Sequence, residues 1–209
     1  MANTPFPDLP ALGPGRGSKF SRTFYKKLFL AQGWKMEGEF PNLPKAVAII
    51  SPHTSNIDAW LGFNALLGLG IQITIFGKDS LFRTPLKPIL VWIGVVPVVR
   101  DTPQGHTRQI VDVINKTDRI WVGMAPEGSR KAPEKFRSGF YHIAKAANLP
   151  IVMFSFDYAH KTIHILGVFH PTGHYKQDLD AIYQHYEGKF SAKNPHWLAK
   201  PLQKRWPKD

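Results

Sequence analysis

The chain has no cysteine among its 209 residues. Disulfide staples, thiolate nucleophiles and acyl-cysteine intermediates are therefore excluded, while the redox compartment is left open. Acidic residues are scarce: 15 Asp and Glu stand against 27 Lys and Arg, a formal net charge of +12. That balance favours anionic partners, whether nucleic acid, anionic lipid or an acidic protein. Residues 1–17 lack the apolar run of roughly 7–15 residues that a secretory signal needs. A convincing membrane span is also missing. Residues 59–76 are long and apolar, but Asn64, Gly68, Gly70 and Gln72 interrupt them, and a helix followed by a strand is the better parse.

Nucleic-acid signatures are absent as well. There is no zinc-finger spacing, no aromatic RNA-binding motif and no recognition-helix pattern, so no nucleic acid is expected as a partner. His160, His164, His170 and His174 lie close in sequence. They lack the compact spacing with cysteine or glutamate that zinc sites use, and no metal is expected.

What remains is a globular composition, 43% hydrophobic, in a chain long enough for one substantial core. Residues 1–17 read as an irregular leader, 18–190 as the folded domain and 191–209 as a basic aromatic tail. Phe20, Phe24 and Leu28 recur at helical spacing in 18–32, among Lys19, Arg22, Lys26 and Lys27. That is a basic amphipathic helix, stopped by Gly33; its apolar stripe packs on the core or meets a membrane. Further helices are expected at 57–69, from 86, at 104–115, 139–147 and 179–190. Strands are expected at 46–50, 71–76, before Arg100, at 120–124, 151–157 and 162–169, the last two as a hairpin. The alternation predicts a single-domain α/β fold, a mixed sheet flanked by helices.

Two of the strands empty into loops rich in catalytic residue types. The run Ala46-Val47-Ala48-Ile49-Ile50 leads into Ser51-Pro52-His53-Thr54-Ser55-Asn56-Ile57-Asp58. Positions five apart on one ideal helix point roughly 140° away from each other. His53 and Asp58 therefore meet most easily if His53 precedes the helix and Asp58 lies in its first turn. Such a pair suits a general base whose second ring nitrogen is held by a carboxylate. The run Ile120-Trp121-Val122-Gly123-Met124 leads into Ala125-Pro126-Glu127-Gly128-Ser129-Arg130-Lys131. Ligands of open α/β sheets bind beyond the carboxyl ends of the strands, so the two loops point to one site.

These residues resemble the glycerolipid acyltransferases, the lysophosphatidic acid acyltransferase family. His53 to Asp58 is similar to that family's His-four-residues-Asp motif. Pro126-Glu127-Gly128-Ser129-Arg130 is similar to its Pro-Glu-Gly-Thr-Arg motif, with Ser129 for threonine. Gly77-Lys78-Asp79-Ser80-Leu81-Phe82 with Pro85, then Gly94 to Arg100, resemble the second motif region. Phe136-Arg137-Ser138-Gly139-Phe140 and Leu149-Pro150-Ile151-Val152 resemble the later blocks. The likeness spans about residues 46–155, in order. Departures are Met153 where a second proline is frequent, and Arg137-Ser138 where lysines are.

The resemblance implies a glycerol-phosphate acyltransferase-like fold and transfer of a fatty acyl chain from acyl-CoA or acyl-carrier protein to a lysophospholipid or glycerol phosphate acceptor. No cofactor is implied beyond that co-substrate. His53 is expected as general base and Asp58 as the group that fixes its tautomer. Lys78, Arg100, Gly128, Ser129 and Arg130 are expected around the acceptor phosphate, Arg130 through its planar fork. Glu127 is expected either on the acceptor hydroxyls or in a salt bridge to Arg130. An acceptor with a long chain implies a cytoplasmic enzyme bound peripherally to an anionic membrane through the 18–32 helix, with Trp197 and Trp206 as further anchors. Two other readings compete: a non-enzymatic basic module for nucleic acid or membrane, and a thioester hydrolase.

Overall fold

The computed structural model describes residues 5–98, 103–129 and 131–206, without the side chains of residues 103 and 104. Helix α1, Lys19–Ala31, is capped by Ser18, whose side chain accepts the Ser21 amide. Strand β1, Lys35–Glu37, follows, then β2, Lys45–Ser51, α2, Asn56–Leu69, and β3, Ile73–Lys78. A 3-10 helix, Asp79–Arg83, leads into α3, Lys87–Ile93, and β4, Val95–Val98. The rest is α4, Pro103–Asn115; β5, Ile120–Met124; α5, Gly139–Ala146; β6, Ile151–Asp157; β7, Thr162–Phe169; α6, Tyr175–Tyr186; and α7, Lys200–Gln203.

The strands form one seven-stranded mixed sheet in the order β1-β7-β6-β2-β5-β3-β4. β6, β2, β5, β3 and β4 are mutually parallel, and β7 turns back antiparallel to β6 as a hairpin. Their shared direction places the ends of β2, β5, β3 and β6 along one edge. Alternation along β2 explains the two cores. Val47 and Ile49 face one side, packed with Ile110 and Ile114 of α4, Phe140 of α5 and Ile182 of α6. Ala46 and Ala48 face the other, packed with Leu61 and Leu69 of α2, Phe29 of α1 and Trp121.

Several expectations change. β1 is too short to show a period, and its pairing with β7 is what makes it a strand. α6 lies four residues earlier than expected. Its first turn is polar, and Asp178 there accepts from Tyr141 Oη, the Thr172 amide and hydroxyl, and the Gly173 amide. Its end is set by Gly188, at φ +70°. β4 carries Pro97 because it is an edge strand, where the missing N–H costs no ladder bond. The irregular residues 5–17 strap the fold: Phe6 is buried edge-on against Phe29, and Pro14 O accepts the Gln72 amide. The α1 stripe does not enter the core. Phe29 is buried instead, while Phe20 and Phe24 are 80% and 53% exposed.

Candidate active site

β2 delivers Ser51 to the sheet edge, and a short loop carries His53 before α2 starts at Asn56. Ser55 caps the helix through the Ile57 amide, and Asp58 completes a capping box by accepting the Ser55 amide. Asp58 Oδ2 receives the Thr54 and Ser55 amides, each at 2.7 Å. The same oxygen stands 3.3 Å from His53 Nδ1. The Tyr158 phenol donates to the other oxygen, Oδ1. The Asp58 side chain has no exposed surface, and donors meet both of its oxygens. His53 is 29% exposed at its side chain. With Nδ1 turned to Asp58, Nε2 is the nitrogen available to a substrate.

The β5 loop turns from the interior to the surface after Glu127. Glu127 points in and is buried; Gly128 and Ser129 are exposed. Glu127 Oε1 accepts from the Ser51 hydroxyl and from the His53 amide at 3.1 Å, tying the two motif loops together. Burial pushes its carboxyl above the usual carboxylate range, against the pull of those hydrogen bonds. Gly128 has φ +62°, and a Cβ there would overlap the Arg137 side chain. Arg137 is exposed and its amide donates to Pro126 O at 2.8 Å, so its stem lies on the loop.

The structure brings His53, Asp58, Glu127 and the Gly128-Ser129 turn together. Lys78 ends β3 on the same edge and is exposed. Arg100 and Arg130 lie outside the described residues. Reading the sequence missed Ser51, Arg137, Tyr158 and Asn194. Asn194 donates through Nδ2 to Thr54 O at 2.8 Å and through its amide to Thr54 Oγ1, so the tail closes on the His53 loop. Only Arg137 carried a sequence signal, as a cation next to the third motif. The others sit at strand ends or in the tail, where no periodicity marks them.

A cavity of about 290 Å³ lies between α2 and the sheet. Its lining is apolar apart from His53 and Asp58. Ala59, Gly62 and Ala65 leave space on the α2 side, and Ile50, Ile75 and Phe154 form part of the sheet side.

A His–carboxylate pair on the wall of an apolar cavity, at the carboxyl edge of a parallel sheet, has the chemistry of a base beside space for an apolar group. The chain belongs to the Acyltransferase family, whose model matches residues 36–157. Among solved structures it is similar to the 1-acyl-sn-glycerophosphate (LPA) acyltransferase PlsC from Thermotoga maritima. The identity is 17% and the TM-score 0.53, over 91% of this chain and 81% of that one. The two share a fold. No curated protein matched the chain.

Proposed function

We propose that the protein moves a fatty acyl chain from a thioester, acyl-CoA or acyl-carrier protein, to a hydroxyl of a lysophospholipid or glycerol phosphate acceptor. The observation that carries this reading is the His53–Asp58 pair set into an apolar cavity, in a chain of the Acyltransferase family. The acyl chain lies in the cavity, which brings its carbonyl carbon beside His53. His53 Nε2 takes the proton of the acceptor hydroxyl as the oxygen attacks that carbon. Asp58 holds Nδ1–H and stabilises the imidazolium. The carbon–sulfur bond then breaks, and the imidazolium proton goes to the departing thiolate. The base is regenerated.

The acceptor phosphate is met by cations of the same edge. Lys78 and Arg137 are both exposed there, and Arg100 and Arg130 complete the set by sequence. Glu127 is a brace between the two motif loops in this reading, in place of an acceptor ligand, because its carboxyl is buried under Ser51 and His53.

The test is product mass spectrometry with acyl-CoA or acyl-carrier protein as donor and lysophosphatidic acid or glycerol 3-phosphate as acceptor. A new ester that depends on both substrates is expected. His53→Ala should lower turnover by at least ~10²-fold, the low end for loss of a general base. Native turnover in that variant overturns the base assignment. Free fatty acid without new ester points to hydrolysis.

A further inference from the structure

We propose that Tyr158 is a positioning residue of this site: its phenol holds the Asp58 carboxylate in the rotation that presents Oδ2 to His53. Tyr158 lies one residue beyond the segment matched by the family model, and directly after β6, the neighbour of β2 in the sheet.

Asp58 has two tasks that compete for one oxygen. Oδ2 caps α2 through two amides and also faces His53 Nδ1. The torsion that turns a carboxylate is broad and roughly two-fold. Held by Oδ2 alone, the group can pivot about that oxygen and carry the imidazole with it. The Tyr158 hydroxyl on Oδ1 fixes the second point, and two points set the plane.

Tyr158 is itself fixed. Its ring meets Trp34 edge-on at 5.0 Å, and Lys193 Nζ stands 5.9 Å from its centre. Burial and the Asp58 charge hold the phenol far above its ordinary range, so it remains a donor wherever the enzyme works.

This rests on the base reading of His53, and the two fail differently. Tyr158→Phe keeps the ring on Trp34 and removes only the hydroxyl. We expect kcat to fall about tenfold, as a small misplacement of the reacting groups does, with both Michaelis constants unchanged within about twofold. If Tyr158 acts through Asp58, adding Tyr158→Phe to Asp58→Asn should cost little more than Asp58→Asn alone. The ¹⁵N spectrum of the His53 imidazole should show a mixed tautomer in Tyr158→Phe and a single Nδ1–H tautomer in the native protein.

Native kcat in Tyr158→Phe, in an enzyme that loses activity with His53→Ala, overturns the Tyr158 assignment and leaves the base. Full additivity with Asp58→Asn overturns it as well. Site-specific 3,5-difluorotyrosine at 158 covers the case in which the phenylalanine variant does not fold. A more acidic phenol is a stronger donor to Asp58 Oδ1, so the His53 Nδ1–H resonance should move from its native position, and an unmoved resonance overturns the proposal.

Discussion

Glu127 shows what burial does to one residue. Its native carboxyl is raised from a reference of 4.5, with desolvation as the largest cause. A raised acid stabilises the fold in its neutral form. That contribution is complete below about 4.5 and is lost as pH climbs through the native value. Glu127→Gln keeps an oxygen for Ser51 and for the His53 amide and cannot ionise. The melting temperature of the variant relative to native should therefore rise from acid pH to neutral. Parallel melting curves from pH 4 to 8 would refute an ionisable Glu127 with a raised pKa. The sequence placed Glu127 with Gly128, Ser129 and Arg130 in a single acceptor-binding group. Composition told which residue types gather in the loop. It could not tell that the loop leaves the core between Glu127, which is buried, and Gly128 and Ser129, which are exposed. Helix geometry puts His53 before α2 and Asp58 in its first turn. Their pairing was legible because the stretch follows an apolar strand run and resembles a motif that stands in order with three other blocks. Tyr158 was not, because it reaches Asp58 across 100 residues of chain and stands at the end of a strand.

At the scale of elements, α2 does two things. Its first turn holds Asp58, and its inner face gives space to the cavity through Ala59, Gly62 and Ala65. A Cβ at Gly62 would meet only Phe156 Cζ, at 3.8 Å, an ordinary contact. Gly62→Leu therefore fits the backbone and gains helix propensity, about 0.8 kcal/mol, while its outer carbons fill the cavity. The thermal midpoint should hold or rise. kcat/KM for long-chain thioesters should drop about tenfold or more, since an overfilled apolar pocket costs on the order of 1–3 kcal/mol. Short-chain thioesters should be nearly unaffected. An unchanged chain-length profile in the folded variant would remove the cavity from the acyl site. The main helices and strands were readable because period 3.6 and short apolar runs survive in the sequence, and the mixed sheet followed from their alternation. The cavity was not readable. Small residues at Ala59, Gly62 and Ala65 look like ordinary helix positions until β2 and β3 are placed beneath them.

Across the whole molecule, the exposed large hydrophobic side chains gather on one part of the chain. Apart from Trp197, the described ones belong to the leader, α1, α2 and the segment through α3: Phe20, Phe24, Ile57, Trp60, Ile89 and Trp92 among them. α3 buries none of its residues. Arg16 ties the leader to α3, with its guanidinium over the Trp92 ring and on the Trp92 carbonyl. Among the described residues no helix is long and apolar enough to cross a membrane. We propose that these exposed side chains meet an anionic bilayer peripherally, close to α2, which also lines the cavity proposed for the acyl chain. Trp206 packs edge-on against Phe190 and is half-buried, so it is a poorer test position than Trp197. Arg22 and Lys26 are poor test positions too. Arg22 donates to the Arg16 carbonyl and Lys26 stands over the Phe6 ring, so neutralising them disturbs the fold. Lys19, Lys27 and Lys87 are exposed. Each cation near such a surface is worth about 1 kcal/mol, so their joint replacement by Gln should weaken vesicle binding on the order of a hundredfold. Phe20→Glu with Ile89→Glu should release the protein at any charge composition, and binding should fall as salt rises. Co-sedimentation with vesicles of graded anionic content measures all three. If the Ile89 change has no effect while the Phe20 change does, α1 alone meets the bilayer. If lipid charge and salt have no effect at all, the electrostatic contact is wrong.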